Sequence, residues 1–310
     1  MIDIKEVTYS PWGRCLRLCD GINEALVTLD FGPRVIRFSP IGRENMFFED
    51  IEDNVNGLAF EKESIEMFGK DKGIWHIRGG HRMWTSPEQF PETYYPDNAP
   101  VSYEIIENGV VLTPPEQAER GLSFTFEMTM PEENCFHIVH KIKNTGGAPI
   151  TLAPWALTVL APGGCELIPV ATHEETLLDN RHFVLWRHTK MMDPRVSWGD
   201  KYIRLSHDAT VPGKFKFGTL SQHGWAAYFN RGNVFVKYFD TNEDMPHPDR
   251  NCNFETFTAK DMLECESIGI LSELFPGDEV SHSECWCMYT DVAFPETDED
   301  ADIFVKNYVE

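Results

Sequence analysis

Side chains able to do chemistry are densest between Trp75 and Glu88. His76, Arg78, His81 and Arg82, two tryptophans (Trp75 and Trp84) and the Glu88 carboxylate gather there around the Gly79-Gly80 pair. Guanidinium forks and indole faces suit a ligand with hydroxyls along its edges and C–H bonds on its faces, which describes a sugar ring. Gly79 and Gly80 admit backbone conformations closed to other residues and would let a ligand approach the main chain. The same residues also fit a plainer arrangement, a polar loop joining two strands with its tryptophans packed in the core.

The elements that must position this segment read as strands. Period-two alternation marks residues 24–31 and 35–39, split by the turn Gly32-Pro33-Arg34, and residues 101–106 and 109–113, joined around Asn108-Gly109. Residues 122–129, 136–144 and 150–160 continue the series. Residues 224–230 and 233–239 form another hairpin through Arg231-Gly232, followed by 254–258, 262–267 and 279–289. Helical spacing is confined to 298–309, where Ala301, Phe304, Val305 and Tyr308 share one side. Many strands, frequent turns and almost no helix predict an all-β fold, a large β-sandwich.

Composition narrows the partners. A chain of 310 residues fits one large all-β domain or two ordinary ones. With 27 basic against 50 acidic side chains the net charge is −23, a surface that repels a phosphate backbone, so nucleic acid is not expected as a partner. No apolar run approaches a bilayer span, so no membrane partner is expected. Residues 1–10 lack the basic and apolar regions of a signal peptide, and the expected location is cytoplasmic. The eight cysteines show no zinc-type pair of C-x-x-C motifs; they read as reduced thiols without a disulfide framework. Cys285 and Cys287 fall on one face of a strand, which reads as ordinary packing. No metal and no cofactor are expected, and oligomeric state is left open.

Segments in order along the chain resemble the galactose mutarotase-like (aldose 1-epimerase-like) superfamily, in an uncharacterised branch. They are Gly32-Pro33-Arg34-Val35-Ile36, then Gly79-Gly80-His81-Arg82-Met83-Trp84, then Ala153-Pro154-Trp155-Ala156-Leu157 running into Ala161-Pro162-Gly163-Gly164. His223 to Tyr228, Pro248 to Glu255, Leu263 to Ser267 and Leu274 to Glu279 follow. The resemblance implies a galactose mutarotase-like β-supersandwich over residues 1–310 as a single domain, with a short C-terminal helix packed against it and a small-molecule carbohydrate as ligand.

Interconverting sugar anomers needs a base on the anomeric hydroxyl and an acid on the ring oxygen. By resemblance, the base of a mutarotase falls on Glu264 in Leu263-Glu264-Cys265-Glu266, with Glu266 beside it. Alternation puts both glutamates and Met262 on one face and Leu263 and Cys265 on the other. This pattern fits a solvated outer face as well as a cleft. The chain departs from the family at its histidines: their positions read Arg78 and Trp155. His81, three residues beyond Arg78, is the remaining acid candidate. An indole N–H donates a hydrogen bond but is no acid at neutral pH, whereas its ring can stack on a pyranose.

The expected substrate-binding set is Arg34, Arg78, Arg82, Trp84, Trp155, Asp249, Asn253 and Glu255, with Glu264, Glu266 and His81 as the catalytic set. Asp249 equally suits turn capping. Lys214 and Lys237 read as snorkelling from exposed strands, Arg187 as an exposed arginine, and Trp198 and Trp225 as core. The leading expectation is a carbohydrate-binding protein resembling aldose 1-epimerases, with isomerase activity in view. One alternative is a non-catalytic sugar-binding or sensing protein. Another is a metal-dependent β-barrel enzyme using His76, His81, Glu88 or His247, whose spacing is not that of a compact ligand pair.

Overall fold

Alternation resolves into two packed sheets. The computed structural model describes residues 2–55, 61–132, 134–171 and 179–310. In the first sheet the spatial order is β1 (Asp3–Tyr9), β2 (Gly13–Cys19), β3 (Asn23–Thr28), β4 (Val35–Pro40) and β5 (Gly80–Ser86). It continues through β10 (Ile150–Leu160), β19 (Leu263–Ile268), β18 (Phe254–Thr258), β15 (Phe215–Thr219) and β12 (Phe183–Leu185), with β20 (Ser272–Leu274) pairing β10. The second sheet runs β13 (Val196–Trp198), β14 (Tyr202–Ser206), β11 (Cys165–Pro169), β16 (Trp225–Asn230) and β17 (Asn233–Phe239). It ends with β21 (Glu279–Thr290), β9 (Cys135–Asn144), β8 (Leu122–Glu132), β7 (Gly109–Thr113) and β6 (Ser102–Ile106).

The core lies between the sheets. Phe38 of β4 meets Phe136, Phe235 and Trp286 of the second sheet at ring-centroid separations of 5.3, 5.8 and 5.7 Å. Edge-on and tilted contacts of this kind suit the aromatic quadrupole and fix how the sheets seat on each other. Leu263 and Cys265 join the same core. A separate apolar cluster, including Trp75, Trp84, Trp155, Leu157 and Met262, covers the far face of the first sheet.

Turn chemistry follows the residues. Arg231 (φ 54°) and Gly232 (φ 72°) join β16 to β17, both left-handed as a two-residue hairpin requires. The C-terminal helix, Asp298–Tyr308, begins with a capping box in which Thr297 and Asp300 satisfy each other's backbone N–H. Its buried Ala301 and Phe304 pack on the outer face of the second sheet with Trp225 and Phe229. A second helix, Glu61–Phe68, was not expected. It is short and acidic and buries only Ser64 and Phe68, too little apolar periodicity to read.

Lys237 overturns its expected place. Its strand has neighbours on both sides and its parity matches Phe235 and Phe239, so the side chain points between the sheets. There Nζ pairs with Glu284 at 2.7 Å and donates to the Ala156 and Cys265 carbonyls and to Thr158 Oγ1. A buried ammonium is tolerated because every donor is satisfied and one partner is anionic. Among the described residues no helix is long and apolar enough to cross a membrane.

Candidate functional site

Register across five strands of the first sheet assembles the site. One row runs Arg82, Leu157, Glu266, Glu255; the next runs Gly80, Val159, Glu264, Phe257, Lys216. Strand parity turns these side chains away from the second sheet, and loops carrying Trp75, Tyr94 and Trp186 rise around them. Arg82, Trp84, Trp155, Trp186, Lys216, Phe257 and Glu264 line the resulting cleft.

Its floor is charged and mostly buried. Lys216 Nζ lies 2.6 Å from Glu255 Oε2 and 3.0 Å from Glu266 Oε2, and the latter also accepts from Trp155 Nε1 at 2.9 Å. Arg82 Nη2 donates to Glu264 Oε1 at 3.2 Å, while its buried Nε and Nη1 have no hydrogen-bond partner among the described residues. Burial pushes the Glu255 carboxyl well above its ordinary range and that of Glu266 upward, with Lys216 opposing both shifts. Burial also works against the Lys216 charge, but Glu255 and Glu266 outweigh it and its pKa is raised. Burial lowers the pKa of Arg82, and Glu264 opposes that shift. Glu264 keeps 8% of its surface exposed whereas Glu255 and Glu266 keep none, so Glu264 is the floor carboxylate a ligand can reach.

The walls are aromatic. Trp84 sits 4.9 Å from Trp75, 4.7 Å from Tyr94 and 5.5 Å from Trp155 between ring centroids. The Arg82 guanidinium lies 4.2 Å above Trp84, and Lys216 Nζ lies 4.8 and 4.7 Å from the Trp155 and Trp186 rings. These cations polarise and brace the indoles that face the cleft. Glu88, His188 and Lys214 stand at the rim. Glu88 accepts a hydrogen bond from Tyr94. Burial, then Lys214 and Lys216, lower the pKa of His188.

Of the residues expected from sequence, Arg82, Trp84, Trp155, Glu255, Glu264 and Glu266 come together here. His81 does not. Its parity is opposite to Arg82, and it lies between the sheets with Nδ1 2.9 Å from Thr158 Oγ1 and Nε2 2.9 Å from His140 Nε2. Arg34 is buried, pairing with Asp97 at 2.8 Å and donating to the Ile77 carbonyl. Arg78 pairs with the same Asp97 and lies 4.1 Å above Phe31. Asp249 accepts from Ser86 Oγ at 3.0 Å, and Asn253 ties the Ser221 backbone to the Thr241 carbonyl. Gly79 and Gly80 are tight against their own chain rather than a ligand. A Cβ there would lie 2.1 Å from the Phe48 carbonyl oxygen and 2.4 Å from that of Val35.

The sequence reading missed Lys216, Tyr94, Trp186 and Phe257. A signal existed for Lys216, since it alternates with the core residues Phe215 and Phe217 and so must face the other side. The residues of the metal-enzyme expectation are scattered: His76 contacts Asp53, Glu88 contacts Tyr94, and His247 bonds the Gly269 and Asn242 carbonyls.

No family model and no curated protein matches this chain. Solved structures do. A TPR-domain containing protein from Parabacteroides distasonis superposes with a TM-score of 0.61 at 15% identity, over 91% of this chain and 48% of that one. This chain thus spans about half the length of that protein. A candidate aldose 1-epimerase from Klebsiella pneumoniae gives 0.57 at 12% identity, over 98% and 86% of the two chains. A galactose mutarotase-like protein from Lactobacillus casei gives 0.53 at 9%, over 89% and 100%. The fold is therefore the galactose mutarotase-like β-supersandwich, and at these identities the likeness concerns fold alone.

Proposed function

We propose that this chain is a carbohydrate-binding protein whose cleft between Trp84, Trp155 and Trp186 takes a pyranose ring. Residues 1–310 act as one binding domain in this reading. The observation that carries it is the pairing of aromatic walls with a reachable carboxylate, Glu264, on the floor. Indole faces stack on the C–H faces of a sugar, while Glu264, held in place by Arg82, meets its hydroxyls. The names of the neighbouring structures support a sugar ligand for this fold.

A second reading, interconversion of anomers, is favoured by the position of Glu264 as a base. It also needs an acid across the ring. His81 is turned away, and His188 at the rim is the cleft-lining group suited to supply a proton. Binding requires none of these transfers.

Saturation-transfer NMR against free aldoses and uronic acids, with the α/β exchange rate recorded in the same samples, separates the readings. Binding without faster exchange supports a binding or sensing protein. Faster exchange that disappears in Glu264→Gln establishes an epimerase. No saturation transfer to any sugar in the panel would remove the proposal.

A further inference from the structure

Far from the cleft, on the outer face of the second sheet, Cys135, Cys285 and Cys287 bring their sulfurs within 4.8 Å of one another. The register explains the convergence. Cys135 of β9 is directly opposite Cys287 of β21, Cys285 lies two residues back on the same face, and His137 is opposite Cys285. The Cys135 and Cys287 sulfurs are 2.7 Å apart, and all three cysteines are free thiols. Cys135 and Cys285 are half-buried, which leaves an entry path, and His137 is exposed beside them.

We propose that Cys135, Cys285 and Cys287 form a binding site for a thiophilic d10 metal ion, with Zn2+ as the reference case. Three thiolates at about 2.3 Å from a tetrahedral zinc sit roughly 3.8 Å apart; the three sulfurs already lie within 4.8 Å of one another, and Cys135 and Cys287, at 2.7 Å, would have to separate to reach that spacing. Binding exchanges three S–H protons for one metal ion and releases the protons to solvent, with no change of oxidation state. The three-thiolate zinc site carries a net charge of −1, and its fourth position is open to water or to the neutral imidazole of His137, which lies opposite Cys285. Hard cations such as Mg2+ and Ca2+ are excluded by the sulfur donors. The site clips β9 to β21 beside Tyr238, Tyr289 and the C-terminal helix, so its occupant braces this edge of the fold rather than meeting the cleft.

The proposal is tested on the full chain, purified under reductant and without chelator. Metal content is measured by mass spectrometry, and the apoprotein is titrated with Zn2+ while alkylation of each cysteine is mapped. The expected result is one Zn2+ per chain, protection of Cys135, Cys285 and Cys287 together, and a thiolate charge-transfer band when Co2+ replaces Zn2+. Cys285→Ser should weaken Zn2+ binding at least about tenfold while the fold, followed by circular dichroism, persists. If that variant fails to fold, protection in the unmodified chain still decides. Free alkylation of all three thiols in the presence of Zn2+, or a Cys135–Cys287 disulfide in the reductant-purified chain, would overturn the proposal.

Discussion

Trp155 Nε1 donates to Glu266 Oε2 at 2.9 Å, so one indole forms a wall of the cleft and also satisfies a carboxylate that has no exposed surface. The other oxygen of Glu266, Oε1, has no hydrogen-bond partner among the described residues. Trp155 thus holds the floor together, and its indole delivers no proton at neutral pH.

Trp155→Phe keeps a ring in the wall and removes only the donor. The expected loss is about 1–3 kcal/mol of folding stability, because the Glu266 carboxylate is left with Lys216 alone. Sugar affinity should fall by less than roughly tenfold, since a phenyl face still stacks. Urea unfolding and a sugar titration on the same variant check both, and a wild-type unfolding midpoint would show the hydrogen bond to be without consequence.

Lys216→Met should be more costly. It strands the fully buried Glu255 and Glu266 without their cation, an effect on the order of 3–5 kcal/mol near neutral pH. Lysine opposes the upward shift of both carboxyls, so its removal raises them further. A carboxyl raised in the folded state contributes stability that is present below its ordinary value of 4.5 and lost as pH rises through the folded value. The gap between variant and wild type should therefore narrow as pH falls below the folded value toward 4.5. Unfolding curves across pH read the gap, and a gap independent of pH would contradict the assignment.

Gly79→Ala should disrupt folding, through sterics alone. Gly79 has φ 94°, and its Cβ position lies 2.1 Å from the Phe48 carbonyl oxygen, a backbone atom that cannot step aside. A loss above about 3 kcal/mol follows from left-handed strain combined with this clash. Soluble yield and melting temperature report it, and a normal melting temperature would show that the segment around Phe48 can shift.

Much of this was legible in the sequence, and its limit has a physical cause. Residues 150–160 and 254–258 were read at their observed bounds, and Arg231-Gly232 at its turn, because apolar runs and left-handed turn residues are local signals. Asp3–Tyr9 was passed over because an exposed edge strand of polar residues carries little alternation. Parity was also readable: Glu264 and Glu266 do share a face with Met262. Which role the charged face plays was not readable, because the glutamates of a buried cleft floor alternate with apolar residues just as those of a solvated outer face would. The same ambiguity sent His81 to the cleft and Lys237 to the surface. The thiol triangle joins residues 152 positions apart, beyond any spacing motif.

Glu166 offers the sharpest pH test. It projects from β11 into the space between the sheets and accepts from Thr256 Oγ1 of β18 at 2.6 Å, with its other oxygen unpartnered among the described residues. Burial pushes its pKa up to about 8, only partly opposed by the hydrogen bonds of Thr256 and Cys265. The folded value lies above the ordinary one of 4.5, so the stability it contributes is complete below pH 4.5 and is lost as pH rises through 8. Glu166→Gln keeps an acceptor for Thr256 and cannot ionise. Relative to wild type, the variant should gain stability progressively from pH 5 to pH 8, by an amount on the order of a few kcal/mol. Urea unfolding of both proteins at pH 5, 6.5 and 8 isolates this difference from every other titrating group. A constant difference across that range would mean that the carboxyl is already ionised in the folded protein at pH 5, its charge held by Lys237 across the core.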